Sequence, residues 1–211
     1  MQARALFAAT LLLAAAPPGP DPVGRYRLTG EHDVASQLVV SRDGRFEYAL
    51  AAGALDEYAK GRWHRAGSQI RLTTVPKPVP PAFAAGAATK TAAAPLLLHV
   101  VWPDGRDAVG TDLRIEFDTG DPLDTYVGGP DGWTMPAGET RRPVAVTLAL
   151  GMFGFASPRF PIDAARANDL TFVITPHDLG RVDFEELPVD VQPGRLIMHR
   201  GGARLVYVKE R

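Results

Sequence analysis

Cysteine is absent from the 211 residues. Thiol nucleophiles, disulfides, CxxC redox chemistry, zinc knuckles and acylation of a lipoprotein cysteine go with it. An excess of charge of one sign is missing too, since 23 Lys plus Arg face 24 Asp plus Glu for a formal net charge of −1. No basic field draws in a phosphate backbone, which argues against nucleic acid as a partner. Long apolar runs are scarce. Ala5 to Ala16 (ALFAATLLLAAA) falls well short of the roughly 20 apolar residues that cross a hydrocarbon core. It follows Met1 to Arg4, with one cation, and stops at Pro17-Pro18-Gly19-Pro20, so residues 1–16 read as an export signal rather than an uncleaved anchor. The expectation is a periplasmic or extracellular chain that folds without disulfides and has no integral span after signal cleavage.

Pro and Gly are abundant, 19 and 21 of the 211 residues, about a fifth of the chain against a usual share of roughly 12%. Together with 45% hydrophobic and 22% charged residues, this describes a globular, turn-rich protein with one large or two small cores. Period-2 alternation marks the strands. Phe46, Tyr48 and Leu50 alternate with Arg45, Glu47 and Ala49, and the turn Arg42-Asp43-Gly44 joins them to Leu38, Val39 and Val40 as a hairpin. Tyr26 and Leu28, Gly61 and Trp63, and Ile70 and Leu72 behave alike, so residues 23–74 read as an antiparallel meander of about five strands.

Residues 76–95 hold several Pro and many Ala with no acidic side chain, and read as an extended linker. Alternation resumes at Leu98, Val100 and Trp102, runs through Leu113, Ile115 and Phe117 and through Val144, Val146, Leu148 and Leu150, and closes at Leu170, Phe172 and Ile174. Residues 96–176 therefore form a second all-β unit, in which Ile162 to Asn168 is the one plausible helix. In the tail, Leu196 and Met198 lead into Gly201-Gly202, and either Leu205 and Tyr207 or Val206 and Val208 return inward. A lone hairpin is marginal, so the strands of residues 177–211 are expected to complete the first unit. The fold class expected is all-β: a small antiparallel meander or half-barrel completed by a C-terminal hairpin, with an inserted β-sandwich.

Three motifs, Gly24-Arg25-Tyr26, Asp43-Gly44-Arg45-Phe46 and Gly61-Arg62-Trp63, make residues 17–75 resemble the lipocalin-like, or calycin-like, domains of bacterial envelope proteins. The second unit, through Pro103-Asp104-Gly105, Leu113 to Phe117 and Asp131-Gly132-Trp133-Thr134-Met135-Pro136, resembles transthyretin-like modules of the carboxypeptidase-regulatory or collagen-adhesin B type. The resemblances imply a barrel interrupted by a sandwich. They imply little about function, because such folds host many roles.

Local chemical motifs are few. The histidines at 32, 64, 99, 177 and 199 show no HxH, HxxxH or HExxH spacing, although pairing of the tail with the meander would bring His64 and His199 closer. Asp118, Asp121 and Asp124 lack the DxDxDG rhythm of a calcium loop and read as a solvated turn, and Asp183, Glu185 and Glu186 form a second acidic group. Ser36, Ser41, Ser68 and Ser157 sit in neither GxSxG nor SxxK, and no phosphate-cradling glycine loop is present. Two groups remain as candidate site residues. Tyr26, Phe46, Tyr48 and Trp63 either line a ligand pocket or fill the core, and Phe153 and Phe155 in Gly151-Met152-Phe153-Gly154-Phe155 form either a contact loop or a core cap. The reading is a non-catalytic envelope protein, without cofactor or metal, that binds a protein partner or a small apolar ligand. A structural spacer is the alternative, and a hydrolase or metal enzyme with a composed site comes third.

Overall fold

The computed structural model describes residues 19–92 and 94–211, and the expected export signal lies outside the described residues. Strands β1 (Gly24–Thr29), β2 (Val34–Val40), β3 (Arg45–Ala52), β4 (Leu55–Ala66) and β5 (Gln69–Thr74) come first. Next are β6 (Ala82–Thr89), β7 (Leu97–Val101), β8 (Asp112–Phe117), β9 (Leu123–Tyr126), β10 (Trp133–Thr134), β11 (Pro143–Leu150), β12 (Phe155–Ala156), β13 (Phe160–Pro161) and β14 (Asp169–Thr175). The chain closes with β15 (Leu187–Gln192), β16 (Arg195–Arg200) and β17 (Ala203–Lys209). Among the described residues there is no α-helix, and none long and apolar enough to cross a membrane.

Strands β1 to β5 pair antiparallel in chain order, β5 pairs with β15, β16 and β17 follow, and β17 returns to β1. The result is a closed eight-stranded up-and-down barrel with no free edge. Its alternating inner residues, Tyr26, Leu38, Phe46, Tyr48, Ile70, Leu72, Leu196, Met198 and Tyr207, are buried in one cluster. Phe46 lies opposite Gly61 in the β3–β4 ladder. Strands β6 to β14 build two sheets, in the orders β10-β7-β14-β6 and β12-β11-β8-β9, with β13 beside β11. Between them lies a second core that includes Leu98, Leu113, Ile115, Leu148, Phe172 and Ile174. The sandwich is thus inserted between the fifth and sixth strands of the barrel.

Two local expectations need correction. Eight residues of the expected linker are strand: β6 pairs antiparallel with β14, because ladder hydrogen bonds to β14 outweigh the weak strand preference of Ala and Gly. The expected helical stretch Ile162 to Asn168 is a set of turns. Asp163 caps it by accepting from the Ala165 amide, and Asn168 is buried, bonded through its side chain to the backbone of Thr91 and Ala94. In the tail Tyr207 faces inward and Val208 outward, which settles the choice between the two alternations. Strand β15 alternates as the others do, but a proline within it, Pro188, argues against a strand at the level of sequence.

Phe184, outside the strands, completes the barrel interior at 3% exposure, stacked 6.0 Å from Phe46 and edge-on at 5.1 Å to Tyr48. Phe184→Ala is expected to lower stability by about 3–5 kcal/mol. Urea denaturation followed by far-UV circular dichroism checks this, with the denaturant slope unchanged.

Candidate binding cleft between barrel and sandwich

The site begins where the barrel lets the insertion out. β4 is longer than β5, and the chain turns away opposite Gly61, where a Cβ would sit 2.0 Å from the Thr73 carbonyl oxygen and 2.8 Å from the Val75 nitrogen. Only glycine permits that approach. The returning segment then covers the unpaired half of β4. The Tyr58 amide donates to Gly180 O at 2.9 Å, and the Val182 amide to Tyr58 O at 2.8 Å. Thr74 ties both crossings together: its amide donates to Phe184 O at 2.8 Å, its hydroxyl donates to Val182 O at 2.9 Å, and that hydroxyl accepts from the Phe184 amide at 2.9 Å.

The two connectors run side by side towards the sandwich. The Val79 amide donates to Asp178 Oδ2 at 2.9 Å, the Asp178 amide returns a bond to Val79 O at 3.1 Å, and Arg181 Nη2 donates to Pro76 O at 2.8 Å. Lys77 reaches Asp183 at 3.3 Å and also bonds Glu185, which raises the lysine and lowers the glutamate from their ordinary pKa ranges.

Inside the barrel the chemistry turns polar towards the β3–β4 and β16–β17 turns. Arg200 of β16 makes a forked pair with Glu57 of β4, Nη2 donating to Oε1 at 2.9 Å and Nη1 to Oε2. Nη1 also donates to the Tyr48 hydroxyl at 3.2 Å. The guanidinium lies 5.8 Å from the Phe184 ring centre and 6.0 Å from that of Tyr48, within cation–π range. Deeper in, Ser36 donates to Ala49 O at 2.7 Å, so its 2.8 Å contact with Tyr207 is a bond donated by the tyrosine. Burial pushes the hydroxyls of Tyr48, Tyr207 and Tyr26 above their ordinary pKa, with the Asp21 charge adding to the effect on Tyr26. The hydrogen bond to Glu57 raises Arg200.

A cleft of about 280 Å³ lies between this end of the barrel and the sandwich. Glu57, Arg181, Val182 and Arg200 line its barrel side, Val79 and Pro80 the connector, and Phe153 and Phe155 the sandwich. The two rings are placed by a tight turn. Gly151 donates to Asp112 Oδ2 at 3.2 Å where a Cβ would lie 2.6 Å away, Gly151–Phe153 form a 3₁₀ turn, and Gly154 takes φ 72°. Phe153 and Phe155 remain half-buried, and Val79 is 52% exposed. A more open groove of about 720 Å³ over Leu28, Val34, Leu50 and Tyr58 shares Glu57 with the cleft.

The sequence candidates separate accordingly. Tyr26, Phe46 and Tyr48 fill the barrel core, and Trp63 closes its far end half-buried, its indole donating to Ser41 O at 2.8 Å. Phe153 and Phe155 stand at the cleft. His64 faces Glu186 at 3.5 Å and His199 faces Asp190 at 3.4 Å, so the two do not converge. Among the described residues no group of three or more His, Asp or Glu side chains is arranged to hold a metal ion. Asp118 and Asp124 pair with Arg142 and Arg114, and Asp121 accepts from Arg141 through its carbonyl. Glu57, Arg181 and Arg200 carried no distinguishing local signal; only the inward alternation of Glu57 and Arg200 placed two charges on a core face.

Removing one member of the Glu57–Arg200 pair strands the other in a site where the side chains are 15% and 30% exposed. Arg200→Met is expected to cost about 2–3 kcal/mol, and Glu57→Leu with Arg200→Met together less than either alone, as a double-mutant cycle of denaturation midpoints checks. The three raised tyrosines favour the neutral form when folded, so their contribution is complete below the unfolded pKa of about 10 and fades as pH rises through the higher folded values. Stability is therefore expected to fall above about pH 10, with Tyr48→Phe showing a shallower fall in denaturation midpoints. Compared with known proteins, the chain matches no family model, no curated protein and no solved structure.

Proposed function

We propose that this chain is a non-catalytic binding protein of the cell envelope, exported by the signal read over residues 1–16, that takes a small apolar ligand in the cleft between barrel and sandwich. The observation that carries this reading is the cleft itself. Its volume of about 280 Å³ lies just below the usual ligand range of roughly 300–1,000 Å³, which suits a small ligand, and junctions between units are preferred places for such sites. Phe153 and Phe155 keep apolar surface uncovered there, opposite Val79, Pro80 and Val182. Covering that surface returns about 25 cal/mol per Å². The up-and-down barrel and the two-sheet insertion support the resemblance to lipocalin-like and transthyretin-like modules. The filled interior argues for a site at the junction and against one within the barrel. Glu57 and Arg200 are committed to each other, which favours binding over turnover.

The spacer reading draws support from the same solid interior and from the cross-braced connectors. A titration separates the two. Octan-1-ol added to ¹⁵N-labelled protein is expected to shift the amide signals of Phe153, Gly154, Phe155 and Val182 to saturation, with Phe155→Ser weakening binding about tenfold. Signals that stay unmoved would leave the sandwich as a spacer packed against a solid barrel.

A further inference from the structure

We propose that the ligand of this cleft carries a carboxylate and that Arg181 recognises it, an inference that rests on the cleft being the binding site. Three cations line the cleft, and their partners differ. Arg200 is held by both oxygens of Glu57, and Lys77 is held by Asp183 and Glu185. Arg181 is served poorly. Its side chain is 8% exposed, yet the carboxylate facing it, Asp178 Oδ1, lies 3.8 Å from Nη1, beyond hydrogen-bond range. Asp178 turns its other oxygen to the Val79 amide, Nη2 meets the Pro76 carbonyl, and the buried Nε has no hydrogen-bond partner among the described residues.

A guanidinium withdrawn from water is costly unless its donors are engaged and its charge is balanced. A carboxylate that reaches the guanidinium from the cleft supplies an acceptor and a negative charge at hydrogen-bond distance. Charge balance selects among anions. Glu57, Asp178 and Asp183 also border the cleft, so a second negative charge on the ligand meets repulsion, and a monoanionic carboxylate fits better than a phosphate dianion. The half-buried rings of Phe153 and Phe155 take the apolar remainder, and the limited volume favours a short aliphatic or aromatic acid.

The test compares octanoate, octan-1-ol and octylamine on the full chain at pH 7 by calorimetry and ¹⁵N NMR. Octanoate is expected to bind at least tenfold more tightly than the alcohol, with the amine no better than the alcohol. The Arg181 Nε–H signal is expected to move with octanoate alone. In Arg181→Met the advantage of octanoate over octanol is expected to vanish while octanol binding persists. Should that variant fail to fold, the wild-type affinity ratio and the Arg181 Nε–H signal decide the matter. Equal affinity for octanoate and octanol, or an Arg181 signal unmoved at saturating octanoate, overturns the carboxylate and leaves the apolar site standing. Failure of octanoate and octanol alike to bind overturns the site itself.

Discussion

A barrel closed by its own hydrogen bonds accepts an insertion only where the chain leaves and re-enters beside itself, and the exchange between Thr74 and Phe184 is that place. One backbone bond and two through the Thr74 hydroxyl join the outgoing end of β5 to the returning segment. Gly61 lets the outgoing chain pass within a distance that a side chain would forbid. With the crossing fixed, Phe184 lies against Phe46 and Tyr48, and Arg200 lies over Phe184 and Tyr48 while holding Glu57. The aromatic interior, the ion pair and the barrel side of the cleft therefore depend on one another.

Electrostatics follows from this packing. A hydrocarbon interior tolerates Glu57 and Arg200 because each supplies the other's partner in forked geometry, and the adjacent rings offer the guanidinium their negative faces. Two tyrosines and a serine continue the network inwards, each hydroxyl with an acceptor or donor at hand. In the connector the balance is incomplete. Arg181 braces Pro76 and is buried by the crossing of two segments, but among the described residues the carboxylate facing it, that of Asp178, stands 3.8 Å away, beyond hydrogen-bond range. The same crossing leaves Phe153, Phe155 and Val79 partly uncovered next to it.

Much of the fold was legible because a strand writes its two faces into alternate residues. Tyr26, Phe46, Tyr48, Ile70 and Leu72 declared the inner face of the meander, Asp43-Gly44 declared a turn within it, and Gly201-Gly202 declared the turn of the tail hairpin. Where composition opposes conformation the signal fails. Ala82–Thr89 has the look of a linker and becomes a strand only because β14 offers it a ladder. Pro188 hid β15, although its neighbours alternate as the other strands do. Of the candidate site residues, Phe153 and Phe155 were visible as an apolar excess between glycines. Arg181 was invisible, since nothing local marks a buried arginine.

By itself the sequence determined the strand-rich class, the positions of most turns and which residues face inward, because these are local consequences of side-chain order along an extended backbone. Only the tertiary structure decided that β15 is the strand that joins the tail to β5, that Glu57 meets Arg200 across 143 residues of chain, and that the sandwich returns against the barrel to form a cleft. Alternation tells which face a residue takes and is silent on which strand it meets. That choice belongs to barrel closure, where ladder hydrogen bonds and shared burial are satisfied together or not at all.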